Sequence, residues 1–212
     1  MNYRIIVSGL LVLFSVVWAS NLNELVDYVV NPGPPGQLLY NVSKYFGFLG
    51  ICVLLLQVII GLASKFLKKS GGWHKKNAYL LLVLVFLHVL TFVSAVSVRS
   101  GSFAWEVVVP DMSNYYHTII SFGILSSVVV VVSMFTGKEL VKRKAEHVAK
   151  MHIGLACLSM LALVHALSIG SETRSDMSII LFSVLILMML LQAAFLMLRL
   201  VISIRVGVQI ED

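Results

Sequence analysis

The sequence predicts an all-α membrane protein, a single bundle of six transmembrane helices. Hydrophobic residues make up 59% of the 212 residues and charged residues only 12%, which is far from the balance of a soluble domain. Segments such as Tyr79–Leu87 are continuously apolar instead of alternating, a pattern that favours helices over strands. Several apolar runs approach the roughly 20 residues that a helix needs to cross a bilayer.

Six apolar runs mark the predicted spans within one domain covering residues 1–212, and they are Ile5–Ala19, Tyr45–Phe66, Ala78–Val98, Thr118–Phe135, Ile153–Ile169 and Ile179–Ile204. The first run is short and follows Arg4, so a helix and a cleaved signal peptide both fit it. Leu22–Val30 mixes acidic and apolar residues, which suggests a short interfacial segment. The proline-rich stretch Asn31–Gly36 predicts a turn before the second span.

The basic residues set the predicted orientation. With the N-terminus inside, 13 of the 16 lysines and arginines fall on the cytoplasmic side, and only Lys44, Arg99 and Arg174 remain outside. This distribution satisfies the positive-inside rule and places both termini in the cytoplasm. It also accounts for the net charge of +6 without nucleic acid, because the basic residues occupy short loops between apolar runs.

Two pairs of histidines indicate the function. His74 and His88 are 14 residues apart on the third span, and His152 and His165 are 13 apart on the fifth. At about 1.5 Å per residue, each pair is separated by roughly 20 Å along its helix. Both spans run outward, so His74 and His152 share a level near the cytoplasm, while His88 and His165 share one deeper in the membrane. The sequence therefore predicts two stacked haems between helices 3 and 5.

Imidazole on both sides of each iron gives a six-coordinate site suited to electron transfer. No Cys-x-x-Cys-His attachment motif occurs, so b-type haems are expected. A single intramembrane histidine is more often an interhelical hydrogen-bonding group, but four at matching levels favour haem. A spacing of 13 leaves a mismatch of about 140° on an ideal helix. His147 lies in better register with His165, yet His152 is preferred because His147 falls in the basic segment 142–150, and tilt or a bulge near Gly154 can absorb the mismatch.

The segment Trp73-His74-Lys75-Lys76-Asn77-Ala78-Tyr79, followed by His88, resembles the third helix of the ferric reductase-like transmembrane domain. This domain occurs in NADPH oxidases, ferric reductases and the haem subunit of bacterial methionine sulfoxide reductase systems. The resemblance implies an inner haem on His74 and His152, an outer haem on His88 and His165, and electrons moving outward.

Two departures from the family refine this expectation. The chain has no glycine-rich dinucleotide fingerprint, so flavin is expected only through a separate cytoplasmic flavoprotein or as reduced flavin. Phe92 stands where the oxidases carry a further histidine, which disfavours an oxygen-reducing oxidase. The expected acceptor is extracytoplasmic, either ferric iron or a partner protein, and the expected location is a prokaryotic cell membrane, in contact with lipid. The alternatives are a quinol-oxidising cytochrome b subunit and a non-redox scaffold.

Other polar residues are secondary candidates, and none is assigned a catalytic role. Basic residues beside the two haem levels are candidate partners of haem propionates: Arg99 and Arg174 outside, and Lys75, Lys76 and Lys150 inside. His117 lies at the outer end of the fourth span among aromatic residues, so it either shapes an acceptor site or sits at the aromatic interface.

Overall fold

A computed structural model describes residues 3–19, 33–64, 71–143, 151, 154–155, 158–169 and 176–206. These residues form six α-helices and one 3₁₀ helix and contain no strand. The helices are α1 Tyr3–Ala19, α2 Gln37–Ser64, α3 Gly71–Ser100, α4 Tyr115–Arg143, α5 Leu161–Ile169 and α6 Asp176–Val206, with the 3₁₀ helix at Trp105–Val108. The all-α prediction is confirmed.

Within the described part of the chain, three helices are long and apolar enough to cross a membrane, at Gln37–Gly61, Gly72–Ser100 and Tyr115–Glu139. They contain most of the second, third and fourth predicted spans, and each begins before the apolar run does. Polar residues at a helix end still form backbone hydrogen bonds within the helix, so hydropathy alone placed these starts too late. The apolar parts of α1 and α6, Ile5–Ala19 and Asp176–Met188, are shorter.

Helix α2 lies at the centre of the bundle. Half of its apolar window is buried, against 17% for α3 and for α4. It packs most extensively along α3, and it also contacts α1 and α6. Phe48 of α2, for example, meets Phe182 of α6 edge to face, with ring centroids 5.6 Å apart. Helix α4 packs mainly on α5, so α2 with α3 and α4 with α5 form two helical pairs.

The start of α2 is fixed by a tight turn. The Gln37 amide donates to the Pro34 carbonyl oxygen at 3.1 Å, and Gly36 has a positive φ of 81°. A side chain at Gly36 would clash with the carbonyl of Ala95 on α3. The predicted turn at Asn31–Gly36 is therefore present at its C-terminal end, while residues 31–32 and the predicted interfacial segment Leu22–Val30 lie outside the described residues.

Helix α1 docks on the first turns of α2. Phe14 and Val17 are buried, and the hydroxyls of Ser15 and Tyr45 are hydrogen-bonded at 2.8 Å. The Trp18 ring packs on the Tyr45 ring, with centroids 4.9 Å apart. The first predicted span is thus a helix integrated in the bundle.

The segment leading into α5 departs from regular α-helix at Ser159–Met160. The amides of Ala162 and Leu163 donate three residues back, to Ser159 at 3.1 Å and Met160 at 2.9 Å. Bonds of this 3₁₀ type wind the chain tighter, by about 20° per residue relative to an α-helix. The sequence suggested a bulge near Gly154, whereas this irregular turn lies further along the chain, at Ser159–Met160.

Candidate functional site

A cavity opens between the two helical pairs. Its walls come from α2, α3, α4 and α5, and Val107 and Val108 of the 3₁₀ helix border one end. Most of the lining is apolar, and the polar side chains are Tyr40, Ser43, Lys44, His88, Tyr116, Ser126, Ser127 and His165. An apolar chamber with a few convergent polar groups is typical of a cofactor site.

The structure brings His88 and His165 together across this cavity. Their ring centroids are 6.3 Å apart and the ring planes meet at 68°. Direct edge-to-face ring pairs fall in a range of about 4.5–7 Å, so the distance alone allows a simple packing contact. It also fits a shared metal, since metal–imidazole bonds of about 2 Å place two opposed ring centroids about 6.3 Å apart.

The hydrogen bonds of the two rings determine which nitrogen of each ring is protonated. Nδ1–H of His88 donates to the Ser43 carbonyl oxygen on α2 at 2.8 Å, and Nδ1–H of His165 donates to the Ile119 carbonyl oxygen on α4 at 2.8 Å. Donation from Nδ1 fixes the tautomer in which Nε2 carries the lone pair. Metal-bound histidines are oriented in this way by a carbonyl on the other ring nitrogen.

Ser43 holds His88 in a second way. Its hydroxyl donates to the His88 carbonyl oxygen at 2.9 Å and lies 3.1 Å from Nδ1. Ser43 is itself buried, so this connection between α2 and α3 is shielded from solvent. The position of the His88 ring is therefore set by backbone and side chain of one neighbouring residue.

Glycines make room for both rings. A Cβ atom added at Gly47 would lie 3.0 Å from Cε1 and Nδ1 of His88, and one at Gly123 would lie 2.8 Å from the same atoms of His165. Each glycine comes four residues after the residue whose carbonyl accepts the Nδ1 hydrogen bond, so the two histidines rest on equivalent sites of α2 and α4. Any larger residue at these positions must displace the ring.

His74 also lies against a glycine of α2. A Cβ at Gly61 would lie 3.1 Å from Cε1 of His74. The side-chain amide of Gln57 donates to His74 Nε2 at 3.2 Å, so an iron bound at Nε2 would have to replace this hydrogen bond. Buried Asn77 donates to Gln57 Oε1 at 3.0 Å and so orients the amide. The predicted partner His152, and the alternative His147, lie outside the described residues.

The candidate propionate partners divide into three groups. Arg99 lies in the last turn of α3 and donates to Gln37 Oε1 at 2.9 Å. Lys75 and Lys76 are exposed in the first turns of α3, beside His74. Lys150 and Arg174 lie outside the described residues. Lys44 lines the cavity, although it was predicted only as a basic residue of the outer side. Its one available signal was a lone lysine directly before the apolar run that begins at Tyr45.

His117 lies outside the cavity lining, in a network at the start of α4. Its Nδ1 is 2.6 Å from Asp111 Oδ2, and its amide donates to Asn114 Oδ1 at 2.9 Å. Hydrogen bonds from Ser113, with a further contribution from His117, lower the pKa of Asp111. Buried Ser121 fastens the same loop, donating its hydroxyl to the Asp111 carbonyl at 2.8 Å. Asn114 therefore caps α4, and the His117 ring holds the loop at Asp111 against the start of this helix.

Among the described residues, no three or more His, Cys, Asp or Glu side chains form a group that could hold a metal ion directly. A haem needs only two axial ligands from the protein. Comparison of the chain with protein-family models, with curated proteins and with solved structures finds no match.

Proposed function

We propose that this chain is the membrane subunit of an electron-transfer system, with two b haems between helix α3 and the fifth predicted span, which includes α5. One observation carries the proposal: the ring centroids of His88 and His165 lie 6.3 Å apart in an apolar cavity, and each ring is held through Nδ1 by a carbonyl of a different helix. Interhelical hydrogen bonding alone needs no such matched pair of anchors.

The residues present fit a b haem. Iron held by two imidazoles supplies reversible one-electron chemistry without an open coordination position. His88 and His165 provide the two Nε2 lone pairs, while Ser43 and Ile119 fix the ring orientations. The apolar walls exclude water, and Gly47 and Gly123 keep both rings at the required depth.

The proposal of a second haem at the inner level is based on His74 and on the spacing of four glycines. Gly47 and Gly61 of α2 are 14 residues apart, as are Gly123 and Gly137 of α4. Gly123 contacts His165. On an antiparallel helix of equal rise, the residue 14 positions before His165 therefore lies at the same level along the helix axis as Gly137. That position is residue 151, which is adjacent to His152 and four residues from His147. The register favours His152 as the partner of His74.

The proposed topology and direction of electron flow are based on the charge distribution and on the resemblance to a known domain. Six spans with cytoplasmic termini accommodate the positive-inside distribution. The arrangement of two histidine levels on α3 and α5 is that of the ferric reductase-like domain, which the chain resembles. Electrons then enter from a cytoplasmic flavoprotein or reduced flavin and leave to an extracytoplasmic acceptor such as ferric iron.

We expect reduced flavin mononucleotide to reduce the protein only from the face that carries Lys75 and Lys76. Both lysines are exposed beside His74, and a basic surface attracts an anionic donor with a rate that falls as salt rises. The measurement is the haem absorbance change in sealed vesicles of known orientation. The double variant Lys75→Gln and Lys76→Gln should slow the reaction and weaken its dependence on salt.

The control is a neutral hydrophobic reductant, which should react equally with wild-type and double variant. Reduction by flavin from the opposite face alone would contradict the proposed direction. Rapid reduction by menaquinol with no reaction by flavin would instead establish the quinol-oxidising alternative.

A further inference from the structure

Lys44 is a half-buried basic residue of α2, within the candidate span Gln37–Gly61 and directly before the apolar run that begins at Tyr45. Lys44 directly follows Ser43, the residue whose carbonyl anchors His88, and it lines the same cavity as His88 and His165. Its placement therefore points to the ligand of that cavity.

The ammonium group of Lys44 lies toward the outer end of the cavity. Side chains on a helix lean toward its N-terminus, and Lys44 Nζ is 5.1 Å from the ring centroid of Tyr40, one turn earlier. Arg99 approaches the same ring at 6.0 Å. Tyr40 and Tyr116 both line the cavity, so this end combines two phenols with positive charge and suits carboxylates.

We propose that Lys44 binds a carboxylate of the group held between His88 and His165, namely a propionate of the outer haem. The inference rests on the proposed function. A haem fixed through its iron is an apolar disc with two carboxylates on one edge, and Lys44 supplies the lysine ammonium group in the lining of a mostly apolar cavity. Lys44 is thus a positioning residue that determines which edge of the disc faces outward.

Arg99, at the same end of the cavity, forms a hydrogen bond with another side chain. It is exposed and donates to Gln37 Oε1 at 2.9 Å, so its guanidinium is already held at the rim. A soluble anionic acceptor arriving from outside is the other source of carboxylates that Lys44 could meet. The test separates these two sources.

The experiment compares Lys44→Met and Lys44→Arg with the wild type in spectroscopic redox titrations. Lys138→Met is the matched control, because Lys138 also lies over an aromatic ring, that of Phe135 at 5.6 Å, but outside the cavity lining. A nearby positive charge favours the reduced state of an iron centre. We expect Lys44→Met to shift one of the two midpoint potentials downward and leave the other unchanged. Lys44→Arg should restore the wild-type value, and Lys138→Met should leave the potential that Lys44→Met lowers at its wild-type value.

Reoxidation rates complete the test, with ferric citrate as the anionic acceptor and hexaammineruthenium as the cationic one. If Lys44→Met keeps both potentials but slows only the reaction with ferric citrate, Lys44 binds the soluble acceptor and the propionate assignment is wrong. Unchanged potentials with unchanged rates also overturn the assignment. A wild-type protein that binds no haem would overturn the proposed function itself, which distinguishes the two failures.

Discussion

Replacing His165 by alanine should reduce the haem content from two per chain to one. The substitution removes one of the two imidazoles that face each other at 6.3 Å, and a methyl group cannot replace Nε2 as a ligand. His88→Ala should have the same effect, because both histidines serve the same level. The measurement is the pyridine haemochrome content of purified protein expressed with added haem.

His117→Ala is the control for this pair. It also removes an imidazole, but from the exposed network around Asp111 instead of the cavity, so both haems should be retained. Full haem content in His88→Ala and His165→Ala would show that the two rings form an interhelical contact only. Equal haem loss in all three variants would indicate a general folding defect.

The second large effect is expected from Gly123→Ala. The new Cβ would lie 2.8 Å from two ring atoms of His165 and 3.0 Å from a third, and real Cβ atoms do not approach other atoms this closely. The ring must move, which breaks its 2.8 Å hydrogen bond to the Ile119 carbonyl. Loss of such an orienting bond typically costs about 10–100-fold in metal affinity. The outer haem should therefore be lost on dilution in detergent, or retained with an altered low-spin spectrum.

Gly9→Ala is the matched control, since Gly9 is also helical and a Cβ there meets no atom within 4 Å. Both substitutions gain about 0.5–1 kcal/mol of helix propensity, so a difference between them reports the contact with His165. Wild-type affinity and spectrum in Gly123→Ala would contradict the close packing of the ring against α4.

The pairing of His88 with His165 could be predicted from the sequence, but the glycines against which the two rings pack could not. Spacing along a helix follows from a fixed rise per residue, so His88 and His165 could be matched from their positions in the chain alone. Gly47 and Gly123 could not be assigned, because a glycine in a helix gives no signal of which side chain fills its space. Their function depends on how α2 packs on α3 and α4 on α5.

Lys44 shows a different limit of sequence reasoning. The positive-inside pattern explains most basic residues by topology, and Lys44 counted only as one of three on the outer side. Its position in the cavity lining depends on the rotation of α2 about its axis, which hydropathy does not determine when a helix is apolar on nearly every side. The irregular turn at Ser159–Met160 could not be predicted from the sequence either, because tertiary packing determines where a helix adopts 3₁₀ hydrogen bonds.

The most direct test of the account is the haem content and ligation of the wild-type protein. Pyridine haemochrome analysis should give two b haems per chain, and electron paramagnetic resonance of the oxidised protein should show only low-spin ferric iron from two bis-histidine sites. Reductive titration should then resolve two one-electron steps. The claim that His88 and His165 share a haem would be contradicted if protein expressed with added haem binds none, or contains only high-spin iron with one histidine ligand.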